Sequence, residues 1–300
     1  MSAAMSAATA EAEAATGRPG RVDLHTHSCC SDGTLRPAEL VRLAATRGVW
    51  LLALTDHDTL EGLPEAQAAC RQQGIRFVPG VELSCAWREL EIHVLGLGID
   101  AGDAPLRSLC SQQLERRRAR IEAIATRLSA LGLPGRALAD GALQACAPTR
   151  GHLAAALAAH GFAASAQQAF ERYLAAGRPA FVGAAWPPLT RIVQGVLGAG
   201  GLPVLAHPHR YGLSGAPLAQ LASEFKHLGG AGIEISVPGM SQAAAAETAR
   251  LARRLDLAGS MGSDFHQPAV PWRPLGRLVK LPEAVTPITA RLAPAHDPRH

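Results

Sequence analysis

The sequence predicts an α/β barrel of seven strands interrupted by a helical insertion. Three observations predict it. Short apolar runs alternate with amphipathic stretches of 10–15 residues, the rhythm of parallel strands joined by crossover helices. The rhythm stops between Ile99 and about Pro188, where helical patterns follow one another with almost no strand. Nearly every candidate strand also ends in a histidine or an acid, and active sites of α/β barrels form at that C-terminal rim.

Residues 1–20 are Ala-rich and aperiodic, with Glu11 and Glu13 and no basic or apolar leader pattern, so a disordered tail is expected there. The candidate strands are Val22–Leu24, Trp50–Leu54, Arg76–Val81, Glu91–Leu97, Pro203–Ala206, Gly232–Ile235 and Leu257–Gly262. Seven strands are one short of a (β/α)8 barrel. The chain is thus divided into a first barrel part (21–98), an insertion (99–188), a second barrel part (189–282) and a Pro-rich tail expected to fray (283–300). Inside the insertion, Leu114, Ile121, Ile124, Leu128 and Leu131 recur at helical spacing and predict a helix over Ala104–Leu131, stopped by Gly132-Leu133-Pro134-Gly135. Two further helices are predicted over Gly151–His160 and Ala166–Ala176.

Composition narrows the function. The 300 residues are 48% hydrophobic and 18% charged, too apolar for a disordered chain and enough for a large core. No apolar run reaches the roughly 18 residues of a membrane span. The net charge of +4 permits an anionic substrate without demanding nucleic acid. The six cysteines follow neither a zinc-finger nor a redox spacing, and Cys29-Cys30 is vicinal. They read as reduced thiols in a cytoplasmic protein.

The chemistry lies in the 12 histidines and their acidic neighbours. Strand one runs into His25-Thr26-His27 and then Ser31-Asp32-Gly33; strand two ends in Thr55-Asp56-His57-Asp58, and strand three in Gly80-Val81-Glu82. Strand four carries His93, strand five ends in Ala206-His207-Pro208-His209, and strand seven in Gly262-Ser263-Asp264-Phe265-His266. An HxH pair on an extended segment turns both imidazoles to one face. Imidazoles mixed with carboxylates suit Zn, Mn or Fe, and these residues exceed what one ion needs, so two or three ions are expected.

These residues resemble a family. DLHTHS, SDGT, TDHDT, PGVE, EIHVLGL, AHP and GSDFH look like the PHP (polymerase and histidinol phosphatase) metal-dependent phosphoesterases, and the fold this implies is a distorted (β/α)7 barrel. QQLERRRAR, TRGH, YLAAGRPAFV, AHPHRYGLS and GSDFHQPAVPWRPLGR extend the resemblance over roughly 21–282. They point to the branch acting on 3′,5′-nucleoside bisphosphates and on RNA from its 5′ end.

The resemblance implies a trinuclear site, with Mn2+ the first choice and Zn2+ or Fe2+ the alternatives. His25, His27, Glu82 and Asp264 would hold one ion; Asp32, His57 and His266 a second; Glu82, His93 and His207 a third. A hydroxide bridging two ions would be the nucleophile. His209 stands where this branch usually has Gly, and it is a weak candidate for the general acid, as is His152.

For substrate contacts, Arg117 sits on the apolar stripe of its helix and so needs an anionic partner, while Arg150 opens a helix, a place where anions bind. Arg116, Arg120, Arg178, Arg210 and His152 are secondary candidates, and Trp186, Tyr211, Phe265 and Trp272 are candidates to stack on a base. The expected partner is a nucleotide or a short 5′-phosphorylated RNA, with no membrane and no obligate protein partner. Two other readings remain. A phosphatase of the histidinol-phosphate type is disfavoured by the Arg-rich helix and TRGH. A non-catalytic PHP module is disfavoured by the complete set of ligand motifs and by the absence of a polymerase region from the 300 residues.

Overall fold

The apolar runs form one sheet of seven strands whose spatial order follows the chain: β1 (Arg21–Asp23), β2 (Val49–Leu54), β3 (Arg76–Trp87), β4 (Leu90–Leu97), β5 (Leu202–Leu205), β6 (Gly232–Ser236) and β7 (Ala258–Met261). The computed structural model describes residues 21–270 and 272–292. The expected tail over 1–20 lies outside the described residues. β1 and β7 do not pair as strands, but the segments that continue them meet in a parallel bridge between Thr26 and Phe265. There the Leu24 N–H donates to the Met261 carbonyl at 3.1 Å, and the His27 N–H to the Phe265 carbonyl at 2.9 Å. The result is the distorted barrel that the sequence predicts.

The pairing departs from the expected all-parallel rhythm. β1–β2, β2–β3, β5–β6 and β6–β7 are parallel, whereas β4 runs antiparallel to both β3 and β5. β3 continues past Val81 to Trp87 and turns through Arg88 and Glu89 into β4. Arg88 takes a φ of 53° in that turn. Two residues are too few for a parallel crossover, so a hairpin results. The reversal brings the first half of β4 to the rim where the parallel strands end. His93 therefore faces the site from within a strand: it lies opposite Ser84, and its carbonyl accepts the Ala206 N–H at 3.1 Å.

Nine α-helices are described: α1 (Pro37–Thr46), α2 (Leu63–Gln73), α3 (Ala104–Ala130), α4 (Gly135–Leu143), α5 (Arg150–Ala159), α6 (Ala166–Ala169), α7 (Leu189–Gly198), α8 (Ala216–His227) and α9 (Gln242–Arg254). The sequence reading did not include α4, because Gly135 and the small residues after it resemble a loop. The helix expected over Ala166–Ala176 is instead one short turn followed by a π-turn at Phe170–Leu174. Among the described residues no helix is long and apolar enough to cross a membrane. The six cysteines are unpaired.

The alternation of β2 shows how the barrel is filled. Leu51 and Ala53 point inward with Leu24, Val78, Leu95 and Val204, while Leu52 and Leu54 point outward against the helices. This inner core closes the barrel beneath the rim. α3 is rooted in the outer core by Leu106, Leu109 and Cys110. Its second half supplies Ile121, Ile124 and Leu128 to a separate core with Leu138, Leu153, Leu157 and Leu174. One rigid helix thus holds the insertion over the rim. The described part of the C-terminal segment does not fray as expected: Val285 and Ile288 are buried, and the Gly259 N–H donates to the Thr286 carbonyl at 2.8 Å.

Candidate metal centre and substrate cavity

Beyond β1 the chain stays extended, so His25 and His27 share a face and Thr26 takes the other. The Thr26 hydroxyl donates to the Ala53 carbonyl at 2.6 Å, and its N–H donates to the Thr55 hydroxyl at 3.1 Å. The two imidazoles meet with their Nε2 atoms 3.1 Å apart. Glu82, mid-strand in β3, lies at the centre. Its Oε2 is 3.2 Å from His25 Nε2, 3.2 Å from His27 Nε2 and 3.1 Å from His57 Nδ1. Its Oε1 is 2.8 Å from His93 Nδ1 and 2.8 Å from His207 Nε2.

Asp264 turns Oδ1 to the same group, 3.1 Å from His27 Nε2 and 3.4 Å from His25 Nε2. Asp32 Oδ1 is 3.1 Å from His266 Nε2 and 3.8 Å from His57 Nε2. The ligand atoms fall into three sets, each within 4.8 Å: His25, His27, Glu82 and Asp264; His27, Asp32, His57 and His266; and His57, Glu82 and His93. His207 joins through Glu82. The residues that the motifs assign as ligands therefore come together in one cluster.

The donor chemistry fits divalent cations. Asp32 Oδ1 and His57 Nδ1 are buried without a hydrogen-bond partner among the described residues, each despite a neighbour near 3 Å. Close but misaligned lone pairs suit atoms that converge on a shared cation better than a hydrogen-bond network, because a buried polar atom left unpaired is costly.

The electrostatics agree. Burial would depress His25, His27 and His93, but the adjoining carboxylates outweigh it and raise all three, His27 and His93 to about 9. Burial would raise Asp32, Glu82 and Asp264, but neighbouring imidazoles, and for Asp264 first Arg210, hold them well below the usual range. Burial holds His57 and His207 low and neutral. The site is thus a fixed set of carboxylates that attracts positive charge.

A layer of buried acids supports the ligands. Glu234 Oε1 is 3.0 Å from His25 Nδ1, and its Oε2 accepts the His207 N–H at 2.6 Å. Asp56 accepts the Ser28 N–H and both the Ser28 and Ser31 hydroxyls, tightening the loop that carries Asp32. Sequence reasoning missed the role of Glu234. Its signal is an acid inside the otherwise apolar strand Gly-Ile-Glu-Ile-Ser. Asp58, His207 and Asp264 all take a positive φ, of 51°, 26° and 48°. Such backbone is strained for residues with a Cβ, and strained positions cluster at functional sites.

The cluster opens into a cavity of about 440 Å3 lined by His57, His93, His207, Asp264 and His266, together with Arg150, Arg210 and Arg273. The arginines named from sequence divide sharply. Arg117 is buried, pairs with Asp58 at 2.7 Å and donates to the Ser84 hydroxyl at 2.9 Å. Arg120 forks onto both oxygens of Glu91, at 2.9 and 3.2 Å, and also reaches the Val182 carbonyl. Neither lines the cavity. Arg116 is half-buried, with one buried guanidinium nitrogen that has no hydrogen-bond partner among the described residues, and Arg178 is exposed.

Arg150 does line the cavity. It lies 3.5 Å from Glu91, with its guanidinium 5.2 Å from the Phe170 ring centroid, and burial pushes it down to about 10, still protonated at neutral pH. Arg210 and Arg273 both meet Asp264 Oδ2. Sequence reasoning singled out neither Arg273 nor Phe170. His152 Nδ1 accepts the Thr149 N–H at 3.1 Å and caps α5. His209 lines a neighbouring cavity with Leu213, Leu218 and Glu247, and burial lowers it to about 4. The site therefore brings neither candidate acid, His152 nor His209, to the cavity wall.

Comparison with known proteins agrees with this geometry. Residues 23–181 match the family model of the PHP domain. Over 273 residues the chain is 39% identical to a 5′-3′ exoribonuclease of Haemophilus influenzae, covering 89% of this chain and 97% of that one. Over 275 residues it is 38% identical to a 3′,5′-nucleoside bisphosphate phosphatase of Chromobacterium violaceum, covering 90% and 96%. A solved structure from Chromobacterium violaceum, described as an amidohydrolase with bound sulfate and no metal, has a TM-score of 0.86 at 37% identity, covering 91% of this chain and 96% of that one. A family model matched over more than half of the chain, and relatives matched along nearly their whole length, lead to one conclusion: this chain belongs to the PHP family.

Proposed function

We propose that this chain is a metal-dependent phosphoesterase that cuts at the 3′ oxygen of a nucleotide bearing a 5′ phosphate. It removes the 3′ phosphate of a 3′,5′-nucleoside bisphosphate, and it releases 5′-mononucleotides from the 5′ end of short 5′-phosphorylated RNA. The two reactions share one geometry, because the RNA is the bisphosphate with more chain on its 3′ phosphate. The observation that carries the reading is the cavity itself, where the three ligand sets are flanked by Arg150 on the insertion side and by Arg210 and Arg273 on the β7 side. The two relatives named for these activities, matched over most of both chains, support it.

His25, His27, Asp32, His57, Glu82, His93, His207, Asp264 and His266 would hold three divalent ions, Mn2+ first by their nitrogen and oxygen donors. Ions so held supply charge for the phosphate oxygens and acidify a coordinated water. The protein's own groups do the remainder. Glu82 fixes five imidazoles through its two oxygens, so the ligand sets keep their spacing. Arg210 and Arg273, anchored by Asp264, aim donors at the scissile phosphate. Preformed donors of this kind stabilise charge that grows in the transition state. Arg150 receives the 5′ phosphate, and Phe170 backs its guanidinium. Arg117 acts one step removed, holding Asp58 in the strained turn after His57.

The test is purified protein, with metals counted by elemental analysis, assayed on 3′-phosphoadenosine 5′-phosphate (pAp) and on a 5′-monophosphorylated trinucleotide. The reading expects 5′-AMP from pAp and 5′-mononucleotides from the RNA. Hydrolysis of neither, with metal restored, would contradict it.

A further inference from the structure

The four aromatic side chains that the sequence offers for base stacking have separate fates. Trp186 is buried beneath the Arg117 and Arg120 guanidiniums, 5.3 and 5.8 Å from its ring centroid. The Tyr211 hydroxyl donates to the Ala206 carbonyl at 2.7 Å and accepts the His93 N–H at 2.9 Å. Phe265 is a core residue. Trp272 alone of the four is open, at 70% exposure.

Trp272 adjoins Arg273, whose side chain lines the ligand cavity, yet Trp272 itself lines a second cleft, of about 500 Å3. That cleft is lined also by the loop after β6, Val237 to Met240, and by Arg277 and Val279. Only four large hydrophobic side chains are substantially exposed among the described residues, and two of them, Trp272 and Val279, stand in this cleft. Exposed aromatic surface forgoes burial energy, so a patch beside a polar rim marks a contact surface. Arg277 is exposed, and among the described residues its guanidinium has no ion-pair partner.

We propose that this cleft is the subsite for the nucleotide on the far side of the scissile phosphate, with Trp272 stacked on its base and Arg277 meeting the phosphate that follows. The inference rests on the phosphoesterase reading above. The occupant is single-stranded RNA, for two reasons. The cleft adjoins the reaction cavity in the chain, Trp272 lining the one and its neighbour Arg273 the other, so an RNA chain that continues past the scissile phosphate on the Arg273 side is led toward Trp272. An aromatic face combined with unpaired guanidinium charge also complements a base and a phosphate, the pairing by which proteins track single strands. A bisphosphate has nothing beyond its 3′ phosphate and does not extend into this cleft. The subsite therefore favours RNA over pAp.

The experiment compares wild type, Trp272→Ala and Trp272→Phe on pAp and on a 5′-monophosphorylated trinucleotide, with a second trinucleotide abasic at its middle position. Stacking strengths measured elsewhere imply that Trp272→Ala lowers the ratio of kcat/KM on RNA to that on pAp by roughly 5- to 150-fold. Trp272→Phe should restore most of that ratio. Wild type should lose a similar factor on the abasic RNA, and Trp272→Ala should lose little more. Equal losses on RNA and pAp, an unchanged ratio, or full wild-type rate on the abasic RNA would each overturn the subsite. If wild type cuts pAp and no RNA, the subsite falls and the phosphatase reading stands. If it cuts neither, the phosphoesterase reading falls and takes the subsite with it.

Discussion

At the scale of single residues, the two insertion arginines that look alike in sequence do different work. Arg117 and Arg150 both promise phosphate contacts, yet Arg117 is buried against Asp58 and Ser84 while Arg150 faces the cavity. A sequence gives the spacing of Arg117 on its apolar stripe but not the acid that meets it, because Asp58 lies 59 positions away. Arg150→Ala should therefore lower kcat/KM on pAp by roughly 10- to 150-fold, the worth of a hydrogen bond to a charged group. It should have far less effect on 3′-AMP, which lacks the 5′ phosphate. Arg117→Ala should instead destabilise the fold by about 3–5 kcal/mol, since it strands a buried carboxylate. It should also slow both substrates alike. Paired kinetics and thermal melts check both, and a 5′-phosphate-selective loss in Arg117→Ala would reverse the assignment. Glu234 is a third case. It orients His25, so Glu234→Gln should weaken metal binding by roughly 10- to 100-fold, as loss of a carboxylate behind a ligating histidine does. Metal titration followed by elemental analysis measures this, and unchanged affinity would remove Glu234 from the site.

At the scale of elements, all seven strands are legible as short apolar runs, and six of them carry a histidine or an acid at or near the rim. The direction of β4 is not. Apolar periodicity carries no strand direction, and the deciding feature is the two-residue turn at Arg88-Glu89 between strands three and four. The ligand motifs survived that error because reversing β4 still delivers His93 to the common rim. The insertion was legible as helical but not in its detail. The π-turn at Phe170–Leu174, which carries Phe170 to Arg150, has no helical-period signature. One close approach does show in the sequence as a constraint: Gly262 directly follows β7 and lies against His25. A Cβ at Gly262 would collide with the His25 side chain and come within 2.8 Å of Glu234 Oε1. Real Cβ atoms do not approach so closely, and a packed core relieves little of such overlap. Gly262→Ala should displace His25 and lose metal and activity together, while far-ultraviolet circular dichroism stays near wild type. A Gly262→Ala protein with full metal content would show that this junction tolerates movement.

At the scale of the molecule, the architecture separates holding from recognising. The barrel fills its own interior beneath the rim and presents the proposed metal ligands from the ends of β1, β2, β5 and β7 and from within β3 and β4. The insertion, held over that rim by α3, contributes Arg150 and Phe170. The segment after β7 contributes Arg273 to the same cavity. On the proposed function, the buried imidazoles and carboxylates hold divalent ions that the hydrolysis requires. The most direct measurement is the rate of 5′-AMP release from pAp after exhaustive chelation, with metal loss verified by elemental analysis, and again after titration with Mn2+. The expected rate is background in the stripped protein, with recovery that saturates as bound Mn2+ approaches three per chain. Full activity in protein shown to be free of metal would contradict it.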